Sequence, residues 1–332
     1  MIEPKDNRRL APDPEGPAIS VIVPIFNEEG SIVRLCDELL RVLDSIGRSF
    51  EVICVNDGST DRSMGLLQEI ANRRKELRVV SFCRNYGQTA AMMAGIDYAR
   101  GRVIISIDAD LQNDPQDIPE LLAKMDEGFD VVSGWRKERY DATIRRNFVS
   151  RVANRIISRI SGVHLHDYGC TLKAYRREMV KDVRLYGEMH RFVPIYVSWM
   201  GARLCEIPVR HHARKFDKSK YGIERILKVI LDLVVVKFLD RYLVKPIYLF
   251  GGFGLLSLLL SISLTALMIW LKLCEDVSMV QTPILPLTAL TFLIGVQSIL
   301  LGLIAEILAR TYFEARERRA YTVRETFNFQ TD

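Results

Sequence analysis

Residues 247 to 271, IYLFGGFGLLSLLLSISLTALMIWL, carry no charged side chain. At about 1.5 Å per residue, a helix of that length crosses the roughly 30 Å hydrocarbon core of a bilayer with some tilt. A second uncharged run, residues 277 to 305, is long enough to span even with Pro283 and Pro286 at its interfacial start. Both are read as transmembrane helices in preference to a buried hairpin of a soluble core. Between them, KLCED (272 to 276) has one Lys against two acids, whereas Lys237, Arg241 and Lys245 precede the pair and Arg310, Arg316, Arg318 and Arg319 follow it. By the positive-inside rule both outer flanks face the cytoplasm, together with the large N-terminal region and a basic tail over 306 to 332. Small residues such as those of GGFG (251 to 254) serve helix packing and permit a homo-oligomer of unspecified number. Residues 1 to 18 are Pro-rich and charged with no apolar stretch, so a disordered tail is expected and no secretory signal.

From residue 19 onward the pattern changes. ISVIVPIF (19 to 26), FEVICVND (50 to 57), LRVVSFCR (77 to 84), RVIISIDAD (102 to 110) and FDVVSGWR (129 to 136) are rich in β-branched residues, and amphipathic helical stretches separate them. A βαβ series of this kind predicts an α/β domain over 19 to 213 with a doubly wound, mostly parallel sheet. In such a sheet the carboxyl ends of the strands converge on one crevice. Here those ends read PIFNEE, VNDGSTD, CRNYGQ, DADLQ and SGWR, a density of acids and amides that the fold alone does not require.

The sharpest of these is VIISIDADLQNDP, residues 103 to 115, where an apolar run enters Asp108 and Asp110. Carboxylates at i and i+2 on extended backbone point the same way and repel unless a cation or donors lie between them. An all-oxygen ligand set suits a hard ion, Mg²⁺ or Mn²⁺, of the kind that accompanies phosphate substrates. The alternative is an acidic turn, and NDPQDIP is also a good helix start.

No Walker A sequence and no GxGxxG loop is present, and the six cysteines have no CxxC spacing, so they read as reduced thiols packed as small apolar groups. His211 and His212 are followed by basic residues and read as a solvated or lipid-facing pair. The net charge of +5 fits anionic lipid head groups; charge alone does not exclude nucleic acid, but no nucleic-acid partner is expected.

VIVPIFNEEGSI, EVICVNDGSTDRS, RNYGQTAAMMAGIDYARG, DADLQNDP and DYGCTLKAYRR, in that order, resemble the inverting family-2 glycosyltransferases of GT-A fold. More narrowly they resemble the polyprenyl-phosphate glycosyltransferases, the dolichyl-phosphate mannose synthases and the bacterial enzymes acting on undecaprenyl phosphate. The resemblance covers residues 19 to about 240, and the two C-terminal spans match the bacterial branch. It implies a nucleoside-diphosphate sugar donor, a polyprenyl phosphate acceptor, and a multi-pass enzyme of the inner membrane with its catalytic domain in the cytoplasm. A QxxRW motif, expected of processive synthases, is absent.

The same resemblance implies roles. Pro24, Phe26, Asn27 and Glu28 would line the base and ribose pocket and Asp57 would accept a hydrogen bond from the base, although Glu28 and Glu29 could simply open a helix and Asp57 cap a turn. Asp108, Asp110 and Gln112 match the metal motif. Arg146 and Ser150, at i and i+4 within TIRRNFVSRVANRIISRIS (143 to 161), match an acceptor-phosphate site, to which Arg136 is added for its bidentate geometry. Arg151, Arg155 and Arg159 read as a stripe resting on lipid. Asp167 falls where the family places a residue beside the transferred sugar, with backbone support of its turn as the alternative. Glu188, His190 and Arg191 are expected to face the site, with no mechanical role assigned. Lys218 to Tyr221 form a basic loop, and residues 214 to 246 are expected to carry interfacial helices. A transferase acting on a hydroxyl acceptor and a catalytically silent membrane scaffold are the competing functions.

Overall fold

The computed structural model describes residues 16–137, 157–159, 161–181, 183, 189–212, 247–275, 278, 282–314 and 321–329. It divides into two compact units, residues 1–232 with 319–332, and residues 233–318.

In the first unit all five expected strands form: β1 (Ile19–Ile25), β2 (Phe50–Asn56), β3 (Leu77–Phe82), β4 (Val103–Ser106) and β5 (Val131–Trp135). Three more join them, β6 (Lys173–Arg176), β7 (Leu204–Pro208) and β8 (Val323–Phe327), in the order β7-β5-β6-β4-β1-β2-β3-β8. Pairing is parallel except where β6 lies between β4 and β5 and where β8 joins β3. The central strands are buried on both faces, which is why they read as unbroken apolar runs. β6 escaped the sequence reading because KAYR is four residues long and shows no alternation.

Helices α1 (Ile32–Ile46), α2 (Ser63–Arg73), α3 (Gln88–Tyr98) and α4 (Ile118–Asp126) connect the first five strands. α1 buries Ile32, Leu35, Cys36, Leu39, Leu40 and Leu43, the stripe of a helix lying on a sheet. α3 differs, since every residue from Thr89 to Ile96 is buried; small Ala and Gly residues let it sink among its neighbours. Short helices α5 (Arg177–Val180) and α6 (Val193–Trp199) follow β6.

The second unit is a pair of long helices, α7 (Ile247–Glu275) and α8 (Ile284–Glu314). Both are long and apolar enough to cross a membrane. The first span therefore runs past the expected residue 271. The second starts seven residues later than expected, just after Pro283, with Pro286 in its first turn, where a missing N–H leaves no hydrogen bond unmade. Only Gly254, Ser261 and Met268 of α7 are buried, one residue every two turns, which makes a single seam. At that seam a Cβ on Gly254 would lie 2.8 Å from the Gly295 carbonyl oxygen, and the Ser261 hydroxyl donates to the Thr288 carbonyl at 3.1 Å. Leu255, Leu256, Leu259, Ile262, Trp270 and their counterparts on α8 face outward, an apolar surface that water does not tolerate and lipid does.

The tail assigned to 306–332 needs correcting. Its first part continues α8 and its later part is β8, folded into the sheet of the first unit. The helix-like stretch 143–161 with Arg146, Ser150, Arg151 and Arg155, and the interfacial segment 214–246, lie outside the described residues apart from 157–159 and 161. The cysteines also divide: Cys36, Cys54 and Cys170 are buried as expected, while Cys83 and Cys274 are exposed.

Candidate active site

Strands β1 to β5 and β7 share one direction, so their carboxyl ends meet along one edge, and antiparallel β6 adds its preceding loop, residues 167 to 172, to the same edge.

At the end of β1 the backbone turns through Asn27 (φ 57°), a conformation Asn tolerates better than most residues. The turn is laced to the loop after β2. Asn27 N donates to Ser59 Oγ (3.0 Å) and Thr60 N donates to Asn27 Oδ1 (2.8 Å). Glu28 N donates to Ser63 Oγ (2.9 Å), Glu29 N to Asp61 Oδ2 (3.1 Å), and Arg62 N to Glu29 Oε2 (3.0 Å). α1 begins only at Ile32, so Glu28 and Glu29 are not its opening acids; Glu28 instead accepts from the Ser31 hydroxyl at 2.7 Å. Pro24 sits within β1, and Phe26 is 39% exposed at the mouth of the crevice.

Asp57, buried at the end of β2, accepts from Tyr86 N (2.6 Å) and Gly87 N (2.9 Å), the entry to α3. Burial raises its pKa although both backbone bonds pull the other way. Gly58 has φ 66° and lies directly beneath the Arg84–Asn85 backbone, with which any Cβ would collide. The loop 83–87 is thus pressed onto the Asp57 turn.

After β4, burial and then the neighbouring Asp110 push Asp108 up to about 7. Asp108 Oδ1 accepts from Gln88 Nε2 (2.7 Å), and Asp110 Oδ1 accepts from Gln112 N (3.1 Å). An acid pair resisting double ionisation is short of positive charge, and its oxygen donors fit a hard divalent ion. Among the described residues no group of three or more His, Cys, Asp or Glu gathers for a metal, so the candidate set is two carboxylates and the Gln112 amide. The helix-start reading of NDPQDIP holds beside this one: Asp114 accepts from Gln116 N (2.9 Å) and Pro115 opens a 3-10 turn leading into α4.

Arg136, just beyond β5, and Asp167 form a two-point ion pair, Nε to Oδ2 at 2.7 Å and Nη2 to Oδ1 at 3.0 Å. Gly169 N also donates to Asp167 Oδ1 (3.1 Å), and Asp167 is 1% exposed. Its carboxylate therefore faces the guanidinium and its own turn, which favours the support reading over direct sugar contact. Asp167 holds the Arg136 pKa above its ordinary value against burial.

Several residues at this edge had no role, or another one, in the sequence reading. Gln88 was visible only as the end of CRNYGQ. Thr171 accepts from Asn113 Nδ2 (2.8 Å), tying the acid loop to the β6 loop. His211 and His212, expected in solvent or lipid, follow β7 to this same edge: His211 is buried and bridges to Asn113, and His212 Nε2 lies 3.2 Å from Asp114 Oδ2. His190 is buried against Thr89, Nδ1 to Oγ1 at 2.7 Å, and burial with nearby Arg191 lowers it to about 3. Glu188, Arg146 and Ser150 lie outside the described residues.

Residues 20–184 match the model of glycosyl transferase family 2. A dodecaprenyl-phosphate galacturonate synthase of Rhizobium johnstonii is 42% identical over 322 residues, 94% of each chain. The chain belongs to glycosyl transferase family 2. An undecaprenyl-phosphate 4-deoxy-4-formamido-L-arabinose transferase of Edwardsiella ictaluri is 36% identical to this family-2 glycosyltransferase over 92% of this chain and 93% of that one. Both likenesses run through the helical hairpin as well as the sheet. The fold is that of the glucosyl-3-phosphoglycerate synthase of Mycobacterium tuberculosis, solved with Mn²⁺, UDP and phosphoglyceric acid (TM-score 0.51, 18% identity, 68% of this chain and 78% of that one). The sheet is accordingly of GT-A type.

Proposed function

We propose that this glycosyltransferase moves a sugar, with inversion, from a nucleoside-diphosphate sugar to polyprenyl phosphate at the cytoplasmic face of the inner membrane. The observation that carries the proposal is the union, along one chain, of an acid-lined GT-A edge with a membrane hairpin, over a length shared with two lipid-phosphate transferases.

In this reading Phe26 and Asp57 receive the base, and the Asn27 to Glu29 turn, stitched to the Asp57 loop, fixes the ribose side of the pocket. Asp108, Asp110 and Gln112 would hold Mg²⁺ or Mn²⁺, which when bound neutralises charge on the departing nucleoside diphosphate. An acceptor phosphate oxygen forms the new bond to the anomeric carbon as the bond from that carbon to the diphosphate oxygen breaks on the opposite face. A phosphate monoester with second pKa near 6 is largely dianionic at pH 7, so no general base is required. The remaining task is to bring two anions together. Arg136, held by Asp167, and Arg146 with Ser150 are assigned to it; Asp167 acts through Arg136.

The test is to mix the purified protein with undecaprenyl phosphate and a panel of UDP-sugars that includes UDP-galacturonate, with and without Mg²⁺. A lipid-linked sugar formed only with the ion is expected. No product from any donor would overturn the reading.

A further inference from the structure

The segment that follows the membrane hairpin returns to the sheet beside the donor loop. Tyr321 is buried, stacks on Phe82 at 4.9 Å, and donates from its hydroxyl to Asp97 Oδ2 at 2.8 Å. Phe82 meets the Tyr86 ring edge-on at 5.6 Å. Thr322 completes the contact: its carbonyl accepts from Cys83 N at 3.2 Å. The two residues therefore hold the start of the loop at Cys83, the Phe82 ring against which Tyr86 rests, and the helix that follows, around a loop whose Tyr86 and Gly87 N–H groups hold Asp57. Farther along, β8 pairs with β3 and Asn328 Nδ2 donates to the carbonyls of Ala71 (2.7 Å) and Leu77 (2.8 Å), a fastening at the opposite edge of the sheet.

We infer that Tyr321 and Thr322 are positioning residues for the nucleotide: they set the 83–87 loop, and through it the orientation of Asp57, from a part of the chain beyond both membrane helices. The inference rests on the reading of Asp57 as part of the donor pocket. Two observations separate this role from simple sheet edge repair. The Thr322 carbonyl ends on Cys83 of the loop that grips Asp57, and Tyr321 ends on Phe82 just before that loop and on Asp97 of the helix that follows it, whereas the Asn328 contacts end on α2 and the start of β3. The loop also has no slack, because the Gly58 turn packs against its backbone.

The experiment uses the full-length protein in nanodiscs, with Mg²⁺, and measures the Kd of UDP by calorimetry alongside the melting temperature. Tyr321→Ala is expected to weaken UDP roughly tenfold, the loss of about one stacking contact and one hydrogen bond. Tyr321→Phe, which keeps the ring, should recover most of that loss. Asn328→Ala should lower the melting temperature and leave the UDP Kd at its wild-type value. The inference is overturned if Tyr321→Ala leaves UDP binding unchanged, or if Asn328→Ala weakens UDP as much as Tyr321→Ala does. Asp57→Ala separates the two layers: if it weakens UDP while Tyr321→Ala does not, the inference alone falls, and if neither variant alters UDP binding, the donor-pocket reading falls with it.

Discussion

The two carboxylates after β4 are chemically unequal in their surroundings, and that inequality makes them testable. Asp110→Ala, which removes one of the proposed metal ligands, should cost roughly 10²–10³-fold in turnover, measured as lipid-linked sugar per minute. A second test concerns Arg136. Asp167→Asn keeps the shape but strips the charge from a buried pair, so denaturant unfolding should report a loss of about 3 kcal/mol. Arg136 would also lose its aim, with kcat falling roughly 100-fold. A wild-type kcat in Asp167→Asn would show that the pair is structural only. His190 gives a pH signature. Its folded value of about 3 lies below the ordinary 6.5, so between these limits the unfolded chain takes up a proton that the folded chain refuses. Stability should therefore fall as pH drops from 6.5 toward 4, and the slope should flatten in His190→Gln, read from urea midpoints at successive pH values.

The five parallel strands were legible because each is apolar on both faces and bounded by turn chemistry. The acids of DAD were legible for the same reason: a polar cluster at the end of a buried strand has nowhere to be but the crevice. What the sequence concealed is connectivity between distant segments. Nothing in KAYR marks it as a strand, yet it turns the Asp167 loop toward Arg136, and nothing in VRETF announces a partner some 240 residues earlier in β3. Likewise Glu29 looked like a helix opener, and its task of bonding Arg62 N becomes visible only when two loops meet. Of the glycines of GGFG, read as packing residues, Gly254 packs within the hairpin against Gly295, while Gly252 faces open space. Gly254→Leu should force α7 and α8 apart and lower the melting temperature of the detergent-solubilised protein, with Gly252→Leu, where added bulk meets no neighbour, as the mild comparison.

In the proposed membrane arrangement, chain order supports the same sidedness as flanking charge. Residues before and after the hairpin belong to the same folded unit, which requires an even number of crossings. Cys83, exposed in the first unit, and Cys274, exposed at the far end of α7, should then lie on opposite sides. In spheroplasts a membrane-impermeant maleimide is expected to label Cys274 and spare Cys83 until the cells are lysed. Labelling of Cys83 in intact spheroplasts would contradict the cytoplasmic placement.

The position of β8 has a further consequence for how the protein is made. Because the strand that covers β3 is translated after both apolar helices, the other seven strands leave the ribosome while the β3 border is still bare. A chain cut short before β8 would keep that border open, so completion of the sheet waits on synthesis of the whole apolar hairpin.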